Sequence, residues 1–277
     1  MKLTDSKSRE LSLIRALVHG DSGVGKTTSL ATLPEDKTLI ITAERGVLPL
    51  RKHNYRVIQI ESWDDLREIM AWLLKPEKCT DDAMREFITK SLRIIAADSL
   101  SEFAGLCIKH IVEVDRKRLI SGRTGGKSES PKDIYEDQMT MEDWGLYRTR
   151  ILSLIATCCH LPYHVVMTCL SAWTEDKVTG AQMRTPNLSG KAATECAAYF
   201  DLVLHMESAD EPDGTNRRVW RTYNDGRVIA KDASGVLAPL EETNWSAVFK
   251  KILTVGEDKK PAGKPKAQPK QETANVS

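Results

Sequence analysis

The chain has 277 residues, 41% of them hydrophobic and 29% charged, enough apolar material for one large or two small cores and too much for a generally disordered protein. With 40 basic and 39 acidic residues the net charge is +1, so no whole-molecule field selects a polyanion or a membrane, and any nucleic-acid surface must be local. The six cysteines show no C-x-x-C spacing, which argues against zinc and disulfides. No secretory leader and no run near the roughly 20 apolar residues of a spanning helix is evident, so the expectation is a soluble, cytoplasmic chain without a membrane partner.

Residues 1–11 read as an N-terminal extension. An apolar run from Leu13 to Val18 then meets Gly20, Asp21, Ser22, Gly23, Val24, Gly25, Lys26, Thr27 and Thr28, the G-x-x-x-x-G-K-T pattern of a P-loop. Such a loop turns consecutive backbone N–H groups inward around a phosphate chain, its lysine reaches the outer phosphates, and its threonine hydroxyl serves a magnesium ion. Thr27 to Leu33 can start a helix, so the motif sits at the strand-to-helix turn that this chemistry needs. The expected ligands are ATP and Mg²⁺.

Thr38–Thr42 reads as a buried strand that delivers Glu44 just beyond its carboxyl end, the edge where open α/β sheets collect ligands. Glu44 thus arrives on the same edge as the P-loop, where a glutamate can also simply pair with a nearby cation. A short strand from Arg56 to Ile60 precedes the capping pair Ser62 and Asp65 and a helix with Leu66, Ile69, Met70 and Leu73 inward. Residues 76–90 read as a polar connection. Leu92 to Asp98 is an apolar run closed by a carboxylate, a pattern that suits a magnesium-holding aspartate and also suits a cap for the helix carrying Leu100, Phe103, Cys107, Ile108 and Ile111.

Between Asp115 and Asp143 the apolar period stops, and Arg116, Lys117, Arg118, Arg123, Lys127 and Lys132 stand among Ser, Gly and Thr. Trp144, Tyr147, Ile151, Leu154, Ile155 and Cys158 restore helical spacing, and Tyr163 to Leu170 is another buried strand. His160 and His164 flank that junction without a recognisable ligand set. A second polar loop follows from Trp173 to Ala193, with Lys177, Arg184 and Lys191. Phe200–Met206 reads as a strand, and Arg218–Tyr223 with Arg227–Lys231 as a hairpin around Asn224-Asp225-Gly226. A last helix uses Trp245, Val248, Phe249 and Ile252, and residues 256–277 read as a disordered tail.

This order of motifs resembles the RecA superfamily, in particular the RecA-core ATPases of bacteriophages implicated in single-strand annealing and recombination. The resemblance is carried by Gly20 to Thr28, by Thr42-Ala43-Glu44-Arg45-Gly46-Val47-Leu48-Pro49, by Ile94 to Ser99, and by Pro186 to Lys191 with Tyr199-Phe200-Asp201. It implies an α/β fold, a RecA-type P-loop NTPase core over residues 12–255 with a mostly parallel central sheet flanked by helices, closed by the C-terminal β-hairpin and the tail. It implies ATP hydrolysis with Lys26, Glu44 and Asp98 as catalytic residues, Glu44 as the base, and Thr27 and Asp98 holding magnesium. The two polar loops match in order the pair that grips single-stranded DNA, which nominates Arg116, Lys117, Arg118, Arg123, Lys127 and Arg184 for that contact, with Tyr135, Trp144 and Trp173 as the available aromatics. Lys191, Lys231 and Arg184 are the candidates for a cation acting on a neighbouring subunit, in a ring or filament of copies. A single-strand-binding protein is a further implied partner, in the cytoplasm of a bacterial host. One departure stands out: where relatives place a glutamine or histidine to sense the terminal phosphate, this chain has Thr168-Cys169-Leu170-Ser171, leaving Thr168 or Ser171 as the substitute.

The residues by themselves leave two other readings open. One is a small-molecule phosphotransferase whose 115–143 segment is a basic lid. The other is a regulatory assembly ATPase that acts on a protein partner.

Overall fold

The computed structural model describes residues 12–44, 47–115, 139–175, 180–210 and 216–254. Its first unit is β1 (Arg15–Gly20), five of whose six residues are buried, turning through the glycine loop into the short helix α1 (Lys26–Leu30). β2 (Thr38–Thr42) is buried throughout, and β3 (Arg56–Gln59) is a more exposed edge strand. The helix α2 (Trp63–Leu74) starts at the expected capping box: Ser62 accepts from the Asp65 amide, and the Asp65 carboxylate accepts from the Ser62 amide at 2.9 Å. β4 (Ile94–Asp98) follows α3 (Asp82–Lys90), and α4 (Leu100–His110) leads through one π-turn to Asp115. The chain then continues as α5 (Met141–His160), β5 (His164–Glu175), β6 (Gln182–Pro186), α6 (Ala192–Glu195), β7 (Leu202–Asp210), β8 (Asn216–Arg221), β9 (Lys231–Asp232), β10 (Leu240–Glu242) and α7 (Trp245–Thr254).

Six strands form a parallel sheet in the order β7-β1-β5-β4-β2-β3, and β8 and β10 extend it antiparallel beyond β7. Parallel strands need cover on both faces. Accordingly Leu17, Leu39, Ile95 and Val165 pack under α2 to α5, whereas Ala16, Val18, Ile40 and Val166 pack toward α1 and α7. This is the α/β P-loop NTPase core. Because β5 lies between β1 and β4, the phosphate loop and Asp98 face each other across one strand.

The second face is closed by Trp220 of β8 and Trp245 of α7, both fully buried with ring centroids 4.4 Å apart. Trp245→Ala should destabilise the fold by about 3–5 kcal/mol, as expected for removing a fully buried aromatic. The Nε1 of each indole has no hydrogen-bond partner among the described residues, so Trp245→Phe loses no bond and should cost far less. Urea melts of the two variants check this.

Four local readings are corrected. Residues 76–90 contain the helix α3, capped by Asp81 accepting from the Met84 amide, and only Phe87 and Ile88 of it are buried, too few for an apolar period. Ser99, not Asp98, caps α4. The segment from Trp173 is no open loop: β5 runs on to Glu175 and pairs antiparallel with β6, a ribbon leaving the main sheet, where burial patterning does not apply. The turn at Asn224–Gly226 forms, with Gly226 at φ +84, but its far arm does not pair with β8. Both edges of β8 are taken by β7 and β10, so Arg227 and Ile229 bond the Arg184 backbone of β6 instead.

His160 and His164 have ordinary structural roles. The His164 Nδ1 accepts from the Ile14 amide at 3.0 Å, and no group of metal-ligating side chains occurs among the described residues. No helix among them is long and apolar enough to cross a membrane. The tail 256–277 and the 1–11 extension lie outside the described residues.

Candidate functional site

The carboxyl edge of the sheet gathers the site. Gly20 ends β1 opposite Met206 of β7, so close that a Cβ on Gly20 would stand 2.6 Å from the Met206 carbonyl oxygen. Gly23 and Gly25 hold φ of +76 and +108, conformations that a side chain disfavours and that let the loop amides turn to one side. These positions explain the glycines of the motif in physical terms.

Lys26 is buried, and its Nζ donates to the Gly20 and Asp21 carbonyls at 2.9 and 2.7 Å, across the mouth of the loop. Burial lowers the pKa of this ammonium, while Cys169, Asp98, Glu44 and Asp21 pull it back up. The Thr27 hydroxyl donates to Asp98 Oδ2 at 2.9 Å, and the Thr168 hydroxyl of β5 donates to Asp98 Oδ1. Asp98 is 1% exposed, so its carboxylate is fixed by two hydroxyls from two other elements.

Glu44 arrives from the other side. Thr42 pairs with Asp98 in the β2–β4 register, and its hydroxyl accepts from the Glu44 amide at 3.1 Å, which pins the start of the segment after β2. Partial desolvation raises the Glu44 pKa, the Asp98 and Glu102 carboxylates raise it further, and Lys26 opposes them. A glutamate held at the surface with a raised pKa, near a buried lysine and an aspartate, can take a proton from a water molecule.

The donor set fits a magnesium-bound triphosphate. The glycine cradle leaves room for phosphate oxygens against backbone amides, Lys26 supplies the cation, and Thr27 with Asp98 offers the hard oxygens that Mg²⁺ prefers.

A family model described as an AAA domain matches residues 12–234 of the chain. The chain belongs to the AAA-domain family. It is therefore a P-loop ATPase. No curated protein matches this AAA-domain chain. Among solved structures it is similar to the flagellar accessory protein FlaH of Methanocaldococcus jannaschii, at 12% identity over 79% of this chain and 86% of that one, with a TM-score of 0.37. It is also similar to the P4 protein of bacteriophage phi6, solved with ADP, at 16% identity over 79% of this chain and 57% of that one, with a TM-score of 0.31.

Other residues singled out in the sequence fall in several places. Arg184 stands on β6, where its guanidinium pairs with the Asp21 carboxylate of the phosphate loop and lies over the Trp173 ring at 4.5 Å. Lys191 is exposed at the start of α6. Lys231 opposes Val203 near the beginning of β7, the end of the sheet away from the loop, and its Nζ reaches the Ala197 carbonyl at 3.4 Å. Arg116, Lys117, Arg118, Arg123 and Lys127 lie outside the described residues. Ser171 bonds the buried His19 at 2.8 Å, so of the two suggested substitutes only Thr168 touches Asp98.

His19 is a part of the site that sequence reasoning missed. Burial, with His205 beside it at 4.8 Å between ring centroids, pushes its pKa down to about 3, so the ring is neutral. Its Nε2 donates to the Ile229 carbonyl at 2.7 Å, and Nδ1 then accepts from Ser171, which ties β1, β5 and the 227–231 segment together behind the loop. One signal was present: a histidine directly before Gly20 inside an apolar strand must be buried and must find partners.

Proposed function

We infer that this ATPase couples ATP hydrolysis to single-stranded DNA and works as an oligomer in annealing or recombination, in the manner of the bacteriophage RecA-core proteins it resembles. In this reading Lys26 and the loop amides hold the phosphates, Thr27 and Asp98 hold Mg²⁺, and Glu44 accepts the proton of the attacking water. Bound magnesium supplies the charge that offsets the triphosphate.

The observation that carries the reading is Arg184. It sits on the ribbon that the resemblance nominates for DNA contact, stacks on the exposed Trp173, and bonds Asp21 of the phosphate loop. This link joins the ribbon to the phosphate loop without any intermediary element. Neither a lid over a small substrate nor a protein-remodelling surface requires an aromatic and an arginine stacked next to the nucleotide loop, whereas a base can stack on such a platform.

The test is the ATPase rate with and without oligo-dT over a salt series, with gel filtration alongside. The expected results are a rate stimulated several-fold by oligo-dT, stimulation and binding that fade together as salt rises, and elution larger than one 31.0 kDa chain. An ATPase indifferent to oligo-dT at low salt, with no detectable DNA binding, overturns the DNA assignment and leaves the ATPase.

A further inference from the structure

The phosphate loop has a second basic side chain against it that neither the motif nor the proposed mechanism accounts for. Gly25 is the last glycine before Lys26, and the space where its side chain would be is filled by Arg218 of β8. A Cβ on Gly25 would lie 2.5 Å from Arg218 Nη1, 3.1 Å from Cζ and 3.2 Å from Cδ. The guanidinium and the last carbon of its stem therefore lie against the loop at Gly25.

Sheet register explains why it reaches that point. Arg218 opposes Ser208 on β7, two residues beyond Met206, which itself opposes Gly20 where the loop begins. The side chain thus stands above the carboxyl edge of the sheet, level with the loop. It comes from the flank opposite the reacting groups: β8 is two strands from β1 on one side, whereas β4, bearing Asp98, is two strands away on the other, and β2 lies farther still.

Its surroundings mark it as a cation awaiting an anion. Nearby arginines are satisfied inside the chain, Arg184 by Asp21 and Arg221 by Glu207 and Asp225. Among the described residues no carboxylate or other acceptor pairs with Arg218, although it is an exposed side chain that could swing into solvent. A polyphosphate in the loop would give this guanidinium the acceptor that it lacks among the described residues.

The geometry points to Arg218 as a nucleotide-binding residue that acts within its own subunit, reaching the phosphate chain from the β8 flank of the loop. This rests on the reading that residues 20–28 bind ATP. Since Arg218 lies away from Asp98 and Glu44, it contributes to holding the phosphates and not to the hydrolytic step, and ADP and ATP should feel its loss alike. Gly25 then has two reasons to be glycine, its φ of +108 and the arginine laid across it.

The experiment measures ATP and ADP affinity by calorimetry in the presence of Mg²⁺, with kcat and KM, for the full chain and for Arg218→Ala, Arg218→Lys, Arg217→Ala and Lys26→Ala. Arg218→Ala should weaken both nucleotides about tenfold and raise KM to match, as for loss of one charge-assisted contact, with kcat within about twofold of the parent. Arg218→Lys should recover part of the affinity, Arg217→Ala should behave as the parent, and nucleotide-free melting temperatures should be unchanged in the Arg218 variants. Unaltered affinity in Arg218→Ala overturns the proposal, as does a fall in kcat with affinity intact, which would place the side chain at the reacting end or in a neighbouring subunit. If Lys26→Ala binds ATP as well as the parent does, what fails is the assignment of the loop itself, a result distinguishable from the failure of Arg218 alone.

Discussion

Glu44→Gln is expected to lower the ATP hydrolysis rate by about 10²- to 10⁴-fold, the usual contribution of a positioned general base, while ATP binding stays close to that of the parent chain. The substitution keeps the size of the side chain and the hydrogen bond from the residue 44 amide to Thr42, and removes only the ability to accept a proton. A single-turnover assay with nucleotide in place separates this from a binding defect. The pH dependence provides a second readout. The folded pKa of Glu44 is raised by desolvation, Asp98 and Glu102, so the protonated, inactive form persists to higher pH than for an ordinary glutamate. The parent rate should accordingly rise with pH across a limb displaced above the normal carboxylate range, and that limb should be missing from the residual activity of Glu44→Gln. Hydrolysis at the parental rate in the variant would remove Glu44 from the role of base and return it to a surface charge.

The chemistry at this edge was legible in the sequence to the extent that it is local. The glycine loop is a contiguous motif whose backbone needs are written into residue types, and Glu44 and Asp98 each follow a short apolar run that could only be a buried strand. Their assembly follows from strand order, and a run of buried strands alternating with helices admits few such orders. What the sequence hid is what depends on contacts across strands. Arg218 looks like one more charge in the run Asn216-Arg217-Arg218, and nothing in that run announces which arginine lies on the phosphate loop; the β7–β8 register decides it. Arg184 read as part of a polar loop because burial along β6 does not alternate: it rises from exposed Gln182 to buried Thr185 and Pro186, so no period of two marks the strand. The misplaced hairpin has a similar origin: Asn224-Asp225-Gly226 carries a true turn signal, but a turn says only that the chain reverses, and which strand receives the returning arm depends on edges already occupied by β7 and β10.

Asp98 gives the other large effect, and there activity and stability should part company. On the proposed mechanism Asp98→Asn removes an oxygen charge that holds Mg²⁺, and ATPase activity should fall by at least about 100-fold, more than the 10- to 100-fold typical of groups that only orient a metal ligand. Stability should not fall with it. The carboxylate is 1% exposed and held by two hydroxyls, with the Lys26 ammonium bonded to carbonyls elsewhere, so among the described residues no ion pair is lost when the charge is removed. An asparagine can accept from one threonine and donate to the other, which keeps both bonds and discards the charge. The nucleotide-free melting temperature of Asp98→Asn should therefore equal or exceed that of the parent. Thr168→Val is the counterpart: it preserves shape and leaves Asp98 Oδ1 without its donor, at about 1–3 kcal/mol for an unsatisfied buried acceptor. That variant should melt lower and lose about 10- to 100-fold in activity through a displaced Asp98. Melting temperatures that move in opposite directions while both rates fall would identify Asp98 as a charge kept for function and Thr168 as the group that keeps it in place; a lower melting temperature for Asp98→Asn would make the aspartate a structural anchor instead.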